Sequence, residues 1–159
     1  MASRISLVRL LTVAWAAQIF WLSTDTFNSD QSRTLLDHLL ALLNIHASPP
    51  VLSTINAIVR KLAHLVEYAI LSILIYLSFQ RSNVLRWQPV PARWCVVAAG
   101  LYALSDEFHQ SFVPERGASL LDCGIDTAGA ALGIAAVYCG ARIVRQRSGV
   151  RDSDLDLYA

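Results

Sequence analysis

The sequence predicts an all-α polytopic membrane protein, a bundle of about four transmembrane helices with one amphipathic helix at the membrane interface. Three observations indicate this class. Hydrophobic residues make up 55% of the 159 residues and charged residues only 16%, whereas soluble domains carry about 25% charged residues. The mean hydropathy is +0.45. Four apolar stretches each approach the roughly 20 residues that a membrane-spanning helix needs.

The composition also excludes several other classes. A formal net charge of +1 gives no basic excess of the kind that nucleic-acid binding requires, so no nucleic-acid partner is expected. The three cysteines, Cys95, Cys123 and Cys139, have none of the paired spacings of zinc sites or disulfide frameworks. A disordered or collagen-like chain is excluded because apolar residues are too abundant.

The first predicted span covers residues 5–22 and is interrupted only by Arg9 and Gln18. A signal peptide would also be short, apolar and N-terminal. However, no short polar cleavage region follows the apolar core, and Trp15 and Trp21 suit a helix anchored at the membrane interfaces. The sequence therefore favours a retained span.

Residues 30–45 follow as a predicted amphipathic helix, because their leucines recur at spacings of three and four. Such a helix fits either a position on the membrane surface or one packed over the outer end of the bundle, and the sequence leaves both open. The run Ser48-Pro49-Pro50 is expected to end this helix.

The remaining three spans are predicted at residues 62–79, 94–112 and 120–141. Acidic residues lie near one end of each, so their uninterrupted apolar windows are shorter than an ideal span. Residues 1–147 are expected to form one transmembrane domain, followed by a polar cytoplasmic tail at 148–159.

The orientation follows from the distribution of Lys and Arg. An N-terminus on the inside places nine of these residues on the cytoplasmic side and leaves four outside, which are Arg33, Arg60, Lys61 and Arg116. Because Lys and Arg accumulate on the cytoplasmic side of membrane proteins, both termini are expected to be cytoplasmic.

Ionisable groups concentrate at one end of the last three spans. Five carboxylates form this acidic cluster: Glu67, Asp106, Glu107, Asp122 and Asp126. An ionisable group at a helix centre in hydrocarbon costs about 2.5–3.5 kcal/mol on insertion scales, so several in one small bundle suggest a function. Glu67, Asp106 and Asp126 each lie six residues from the outer boundary of their span. Six residues are about 9 Å of helix, so we expect similar depths.

Helical spacing places three sets of polar residues on single helix faces. The sets are His64 with Glu67, Asp122 with Asp126, and Asp106 with His109 and Gln110. Glu107 points about 100° away from the face of its neighbours. The simplest packing turns these faces toward one another and opens the cluster to the extracytoplasmic side.

The connection at residues 113–117 contains a Pro and a Gly, which predicts a tight turn that holds Arg116 over the mouth of the cluster. Ser119 followed by Asp122 resembles a helix-start box, so Asp122 is open to a second interpretation as a helix-capping acid. Gly129 and Gly133 form a small-residue pair that predicts close helix packing rather than chemistry.

Three sequence blocks carry a family resemblance: KLAHLVEY at residues 61–68, SDEFHQSFVPER at 105–116 and DCGIDTAG at 122–129. Together they resemble the VanZ-like family of small bacterial integral membrane proteins. The resemblance implies a protein of the bacterial cytoplasmic membrane with a role at the cell envelope, since the namesake is associated with low-level resistance to the glycopeptide teicoplanin. It implies no particular biochemical activity.

The cluster itself holds five carboxylates against two cations, Lys61 and Arg116. Such an excess at partly buried depth must be relieved by protonation, by a bound cation or by a ligand. The first hypothesis is a protein that binds or modulates the head group of a membrane lipid or lipid-linked cell-wall precursor. Lys61 and Arg116 would then pair with phosphate or carboxylate, and Tyr68 and Gln110 would add hydrogen bonds.

The second hypothesis is a metal-dependent intramembrane hydrolase or transferase acting on a lipid-linked phosphate. Oxygen-rich sites suit Mg²⁺ or Mn²⁺, and a divalent ion would activate water. The candidate metal ligands are Glu67, Asp106, Asp122 and Asp126. The candidate catalytic residues are His64, Glu67, Asp106, Glu107 and His109, with either histidine as the general base.

Two further interpretations remain open. Buried Asp, Glu and His side chains also mark proton relays in transporters, although four spans without an inverted repeat disfavour this class. Alternatively, the polar groups form an interhelical hydrogen-bond network that only stabilises the bundle.

Overall fold

The computed structural model describes residues 2–24, 29–80, 85–112 and 119–148, and these form five helices. The helices are α1 (Ala2–Leu22), α2 (Ser29–Leu42), α3 (Pro49–Phe79), α4 (Pro89–Gln110) and α5 (Leu120–Ser148). They confirm the predicted helical membrane-protein class. The predicted turn with Arg116 and the tail beyond Ser148 lie outside the described residues.

The longest helix, α3, begins earlier than the sequence indicated. The pair Pro49-Pro50, expected to end the preceding helix, instead occupies the first turn of α3, with Ser48 in an extended conformation as its N-cap. Proline is favoured there because its fixed φ suits a helix and its missing N–H would be unpaired anyway. The 31 residues of α3 extend about 46 Å, well beyond a hydrocarbon core of about 30 Å.

Three helices are long and apolar enough to cross a membrane: Arg4–Leu22, Pro49–Phe79 and Leu120–Arg147. Within the part of the chain that the structure describes, α4 does not join this set. Its two prolines and Arg93 stand at one end, and Asp106 and Glu107 stand at the other. The apolar stretch between them is correspondingly short.

The two faces of α4 nevertheless differ in a way that is typical of a helix in contact with lipid. Its large apolar side chains are exposed at spacings of three and four, at Val90, Trp94, Val97, Leu101, Leu104 and Phe108. Its buried face carries the small residues Ala92, Cys95, Ala99 and Ala103. Small residues at helix interfaces allow close packing in membranes, where burial of large apolar groups gains little.

The short helix α2 packs against α3. This contact leaves Leu35, Leu39 and Leu42 exposed, so most of the apolar face of α2 is uncovered. An amphipathic helix with an open apolar face suits the membrane surface. Of the two positions that the sequence left open for this helix, the structure favours the interfacial one.

The closest helix pair is α3 with α5, which meet at the two glycines of α5. A Cβ atom added at Gly129 or Gly133 would clash with the backbone of α3 at Leu65 or Ala69. Nearby, the buried hydroxyl of Ser72 on α3 donates a hydrogen bond of 2.9 Å to the carbonyl oxygen of Ala130. The predicted packing role of the glycine pair is confirmed.

Contacts between helices show which helix ends lie together at each end of the bundle. Near the C-terminal end of α4, the hydroxyl of Tyr102 donates to the carbonyl oxygen of Ala16 on α1, at 2.6 Å. At the opposite end, Trp87 lies edge-on against Tyr138 of α5, with ring centroids 5.0 Å apart. The first residues of α1 and the last residues of α5 therefore lie at the same end of the bundle. We call the other end, where α1 and α4 finish and α5 begins, the acidic end.

Candidate functional site

The acidic end contains a cavity of about 280 Å³. It lies between the first half of α3, the end of α4 and the start of α5. Six of the residues that the sequence predicted for a site line it: Lys61, His64, Glu107, Gln110, Asp122 and Asp126. Three separate helices thus bring polar groups to one concave surface.

An ion pair between α3 and α5 stands at the solvent-exposed part of the cavity. The ammonium of Lys61 contacts the carboxylate of Asp122, and both side chains are roughly two-fifths exposed. An exposed pair of this kind contributes little to stability, about 0–1 kcal/mol. A ligand can therefore take over either partner at small cost.

Asp126 lies at the floor of the cavity and is only 1% exposed. Its carboxylate approaches Nδ1 of His64 at 3.5 Å, close enough for an ion pair but not aligned as a hydrogen bond. Both carboxylate oxygens of Asp126 lack a hydrogen-bond partner among the described residues, and so does Nδ1 of His64. Buried polar groups are almost always hydrogen-bonded, so the absence of a partner for this carboxylate requires an explanation.

Asp106 lies behind the cavity wall and is 2% exposed. Its Oδ2 accepts a hydrogen bond from the hydroxyl of Ser23 at 2.7 Å and another from the amide of Gln110 at 3.0 Å. These bonds tie the end of α1 to α4 and orient Gln110, which itself lines the cavity. Asp106 therefore acts on the cavity through its neighbours.

Glu107 caps the start of α5. Its Oε2 accepts the backbone N–H of Ser119 at 2.7 Å, while the hydroxyl of Ser119 accepts the N–H of Asp122 at 3.3 Å. In a capping box the acid three residues into the helix makes the reciprocal bond. Here an acid from α4 makes it instead, which leaves the carboxylate of Asp122 free to pair with Lys61. The macrodipole also favours Asp122 in this first turn.

The rotation of α4 differs from the sequence expectation. We expected Asp106, His109 and Gln110 to face the cluster and Glu107 to point away, but Glu107 lines the cavity and His109 does not. The ring of His109 packs instead on Phe20 of α1, with centroids 4.5 Å apart. On a helical wheel Gln110 lies between Asp106 and Glu107, and His109 lies beyond Asp106. The cavity faces the Glu107 side because α1 occupies the His109 side.

The other predicted residues lie around the cavity rather than in its wall. Glu67 is half-buried, and its carboxylate interacts electrostatically with His64, Asp106 and Asp126. Its backbone carbonyl accepts the indole N–H of Trp15 at 3.0 Å. Tyr68 is fully buried, and its hydroxyl has no hydrogen-bond partner among the described residues.

No metal site is assembled within the described residues. No three His, Cys, Asp or Glu side chains there are grouped closely enough to hold an ion. The proposed ligands do not converge, because Asp122 pairs with Lys61 and Asp106 is bound by Ser23 and Gln110. The metal-dependent interpretation therefore stays a prediction without support from this geometry.

Sequence reasoning missed several residues of the cavity. Ser53, Asn56, Ala57 and Arg60 line it from α3, and Ile125 lines it from α5. Four of these precede residue 62, the predicted start of the second span, so they lay outside every predicted helix. The signal was available, because residues 53, 57, 60 and 64 continue one helix face once Pro49 is recognised as a helix start.

The chain is similar to a known protein family. The family model described as VanZ/LLP1 matches residues 8–144, which is most of the chain and includes all five helices in large part. No curated protein and no solved structure matches the chain.

Proposed function

The chain belongs to the VanZ/LLP1 family, and from this premise we propose that its cavity binds the head group of a membrane lipid or of a lipid-linked cell-wall precursor. The family consists of membrane proteins, and its namesake is associated with glycopeptide resistance, which concerns the assembly of the cell wall. A protein that binds or modulates an envelope lipid fits both.

The observation that carries the proposal is the position of cations in the cavity. Arg60 and Lys61 line it at the point where the apolar part of α3 begins, at residue 62. Because α3 is longer than the hydrocarbon core, its first residues extend into the head-group region. Lysine and arginine at that depth are the residues that pair with lipid phosphates.

We further propose that the protein crosses the bacterial cytoplasmic membrane four times, with both termini in the cytoplasm and the cavity open to the outside. The shared end of α1 and α5 carries most of the arginines, among them Arg4, Arg9, Arg142 and Arg145. An excess of Lys and Arg marks the cytoplasmic side. The lipid-facing stripe of α4 supports the fourth crossing.

The test measures binding of a polyprenyl phosphate to the purified protein in detergent micelles. Replacing Lys61 with alanine removes one charge-assisted contact to phosphate, worth about 1.5–3 kcal/mol, so binding should weaken at least about tenfold. Arg33→Ala is the matched control. It removes an exposed cation, paired with Asp30 on α2, from the same predicted side of the membrane.

Equal losses in the two variants would mean that the lipid is attracted only by overall charge, and the proposal would fail. Arg116 lies outside the described residues, and its contact with this site is a prediction from the sequence alone. Arg116→Ala should also weaken binding while the helical content and melting temperature stay unchanged. Equal binding by this variant would remove Arg116 from the site.

A further inference from the structure

Apart from His64, whose charge depends on its protonation, the described wall of the cavity contains more carboxylates than cations. Glu107, Asp122 and Asp126 stand against Arg60 and Lys61. Two of the three carboxylates are engaged, since Asp122 contacts Lys61 and Glu107 accepts the N–H of Ser119. While His64 is neutral, a ligand that carried only negative charge would therefore meet repulsion from Asp126, in surroundings where charges interact more strongly than in water.

Asp126 is also the group in the cavity that most lacks hydrogen-bond donors. Its side chain is only 1% exposed, and neither of its oxygens has a hydrogen-bond partner among the described residues. An ionised carboxylate accepts up to about four hydrogen bonds. Nδ1 of the neighbouring His64 lies 3.5 Å from Oδ1 of Asp126 but is not aligned as a donor. The carboxylate can therefore still accept hydrogen bonds from a ligand.

These observations point to a ligand that brings its own cation. We infer that the cavity binds a phosphate ester of a primary amine, with the ammonium on Asp126 and the phosphate on Lys61 and Arg60. This inference rests on the proposed function, because it names the class of head group. The volume of about 280 Å³ is small beside the range of about 300–1,000 Å³ for drug-sized ligands and suits a short head group.

A primary ammonium suits Asp126 better than a quaternary one. It has three N–H donors, like a lysine side chain, and it can bond to both carboxylate oxygens. A choline group has the same charge but no donor, and its three methyl groups keep the charge farther from the carboxylate. The site should therefore distinguish ethanolamine from choline head groups of equal net charge.

The experiment compares three lipids with the same acyl chains, carrying phosphoethanolamine, phosphocholine or phosphoglycerol head groups. Each is titrated onto the full-length protein in detergent micelles, and the bound fraction is measured by native mass spectrometry. We expect the ethanolamine lipid to bind at least about tenfold more tightly than the choline lipid. Equal affinity for these two lipids in the wild-type protein would overturn the inference without any variant.

Asp126→Asn then tests the assigned contact, since asparagine keeps the size of the side chain and removes its charge. We expect this variant to lose the preference for ethanolamine over choline and to bind the phosphoglycerol lipid more tightly than the wild type does, because the repulsion from Asp126 is removed. Asp30→Asn, on the exposed surface of α2, is the matched control and should keep the preference. Retention of the preference by Asp126→Asn would contradict the inference.

Soluble O-phosphoethanolamine and phosphocholine identify the source of the ligand. If micromolar O-phosphoethanolamine displaces the lipid and phosphocholine does not, the ligand is a water-soluble ester. If the lipid binds and neither compound displaces it, the ligand is a membrane lipid. Both results support an ammonium site, and equal displacement by both soluble compounds contradicts it.

If the phosphoglycerol lipid binds in a Lys61-dependent way but ethanolamine has no advantage, only this inference fails. If no lipid depends on Lys61, the proposed function fails.

Discussion

Substituting alanine for Gly129 tests the contact that holds α3 and α5 together. The added Cβ would lie 2.9 Å from the carbonyl carbon of Leu65 and closer still to its oxygen, whereas ordinary contact begins at 3.4 Å. Both neighbours are helix backbone, which cannot rotate away as a side chain can. The two helices would have to separate by about 1 Å, because the oxygen is the nearer of the two atoms.

The size of the effect follows from two opposing contributions. Overpacking of a close contact costs about 1–3 kcal/mol, and alanine gains up to about 1 kcal/mol over glycine in helix propensity. Gly124 is the matched control, because a Cβ there meets nothing within 4 Å on the same helix. Gly124→Ala gains the propensity without the clash, so the two variants should differ by the overpacking cost alone.

The free energy of unfolding in mixed detergent micelles, titrated with a denaturing detergent, measures this difference. We expect Gly129→Ala to be about 1–3 kcal/mol less stable than Gly124→Ala. A second readout is lipid binding, which should weaken in Gly129→Ala because Asp126 and His64 lie on the same two helices. Equal stability of the two variants would show that α3 and α5 are not in backbone contact at this position.

Two further predictions concern the cap of α5 and the orientation of the chain. Glu107→Ala should destabilise the protein by about 1 kcal/mol, because the N–H of Ser119 loses its acceptor, whereas Glu107→Gln keeps an acceptor oxygen and should lose less. Equal unfolding free energies of these two variants would contradict the capping role. Reporter proteins fused after residue 48 and after the last residue should report the outside and the inside, respectively. The reverse result, or the same side for both fusions, would contradict the proposed topology.

Much of the fold could be predicted from the sequence because the membrane imposes a local rule. Each helix satisfies its own backbone hydrogen bonds, so length and apolar content predicted α1 and most of α4 and α5, and the spacing of leucines predicted the amphipathic α2. The one large error was the start of α3, where Pro49 and Pro50 were interpreted as an end rather than as a first turn. Proline is compatible with both, and the choice depends on whether the following residues pack.

Less of the site could be predicted, because a cavity depends on how helices are rotated against one another. The sequence placed Lys61, His64, Asp122 and Asp126 near one another from their spacing. It did not show that α1 takes the His109 side of α4, because that choice depends on Ser23 and Phe20 in a different span. Nor did it place Arg60 or Asn56 in the cavity wall, because both residues lie in the turns by which α3 extends beyond the predicted span.

The sequence by itself determined that this chain is a membrane-embedded helical bundle with its ionisable groups at one end, because hydropathy and helical period are properties of each segment alone. The tertiary structure decided the role of each acidic residue in this group. Glu107 caps a neighbouring helix, Asp106 connects α1 to α4, and Asp126 lies on the cavity floor with no hydrogen-bond partner among the described residues. These three carboxylates differ in role because their surroundings come from other helices, which no spacing within one segment can specify.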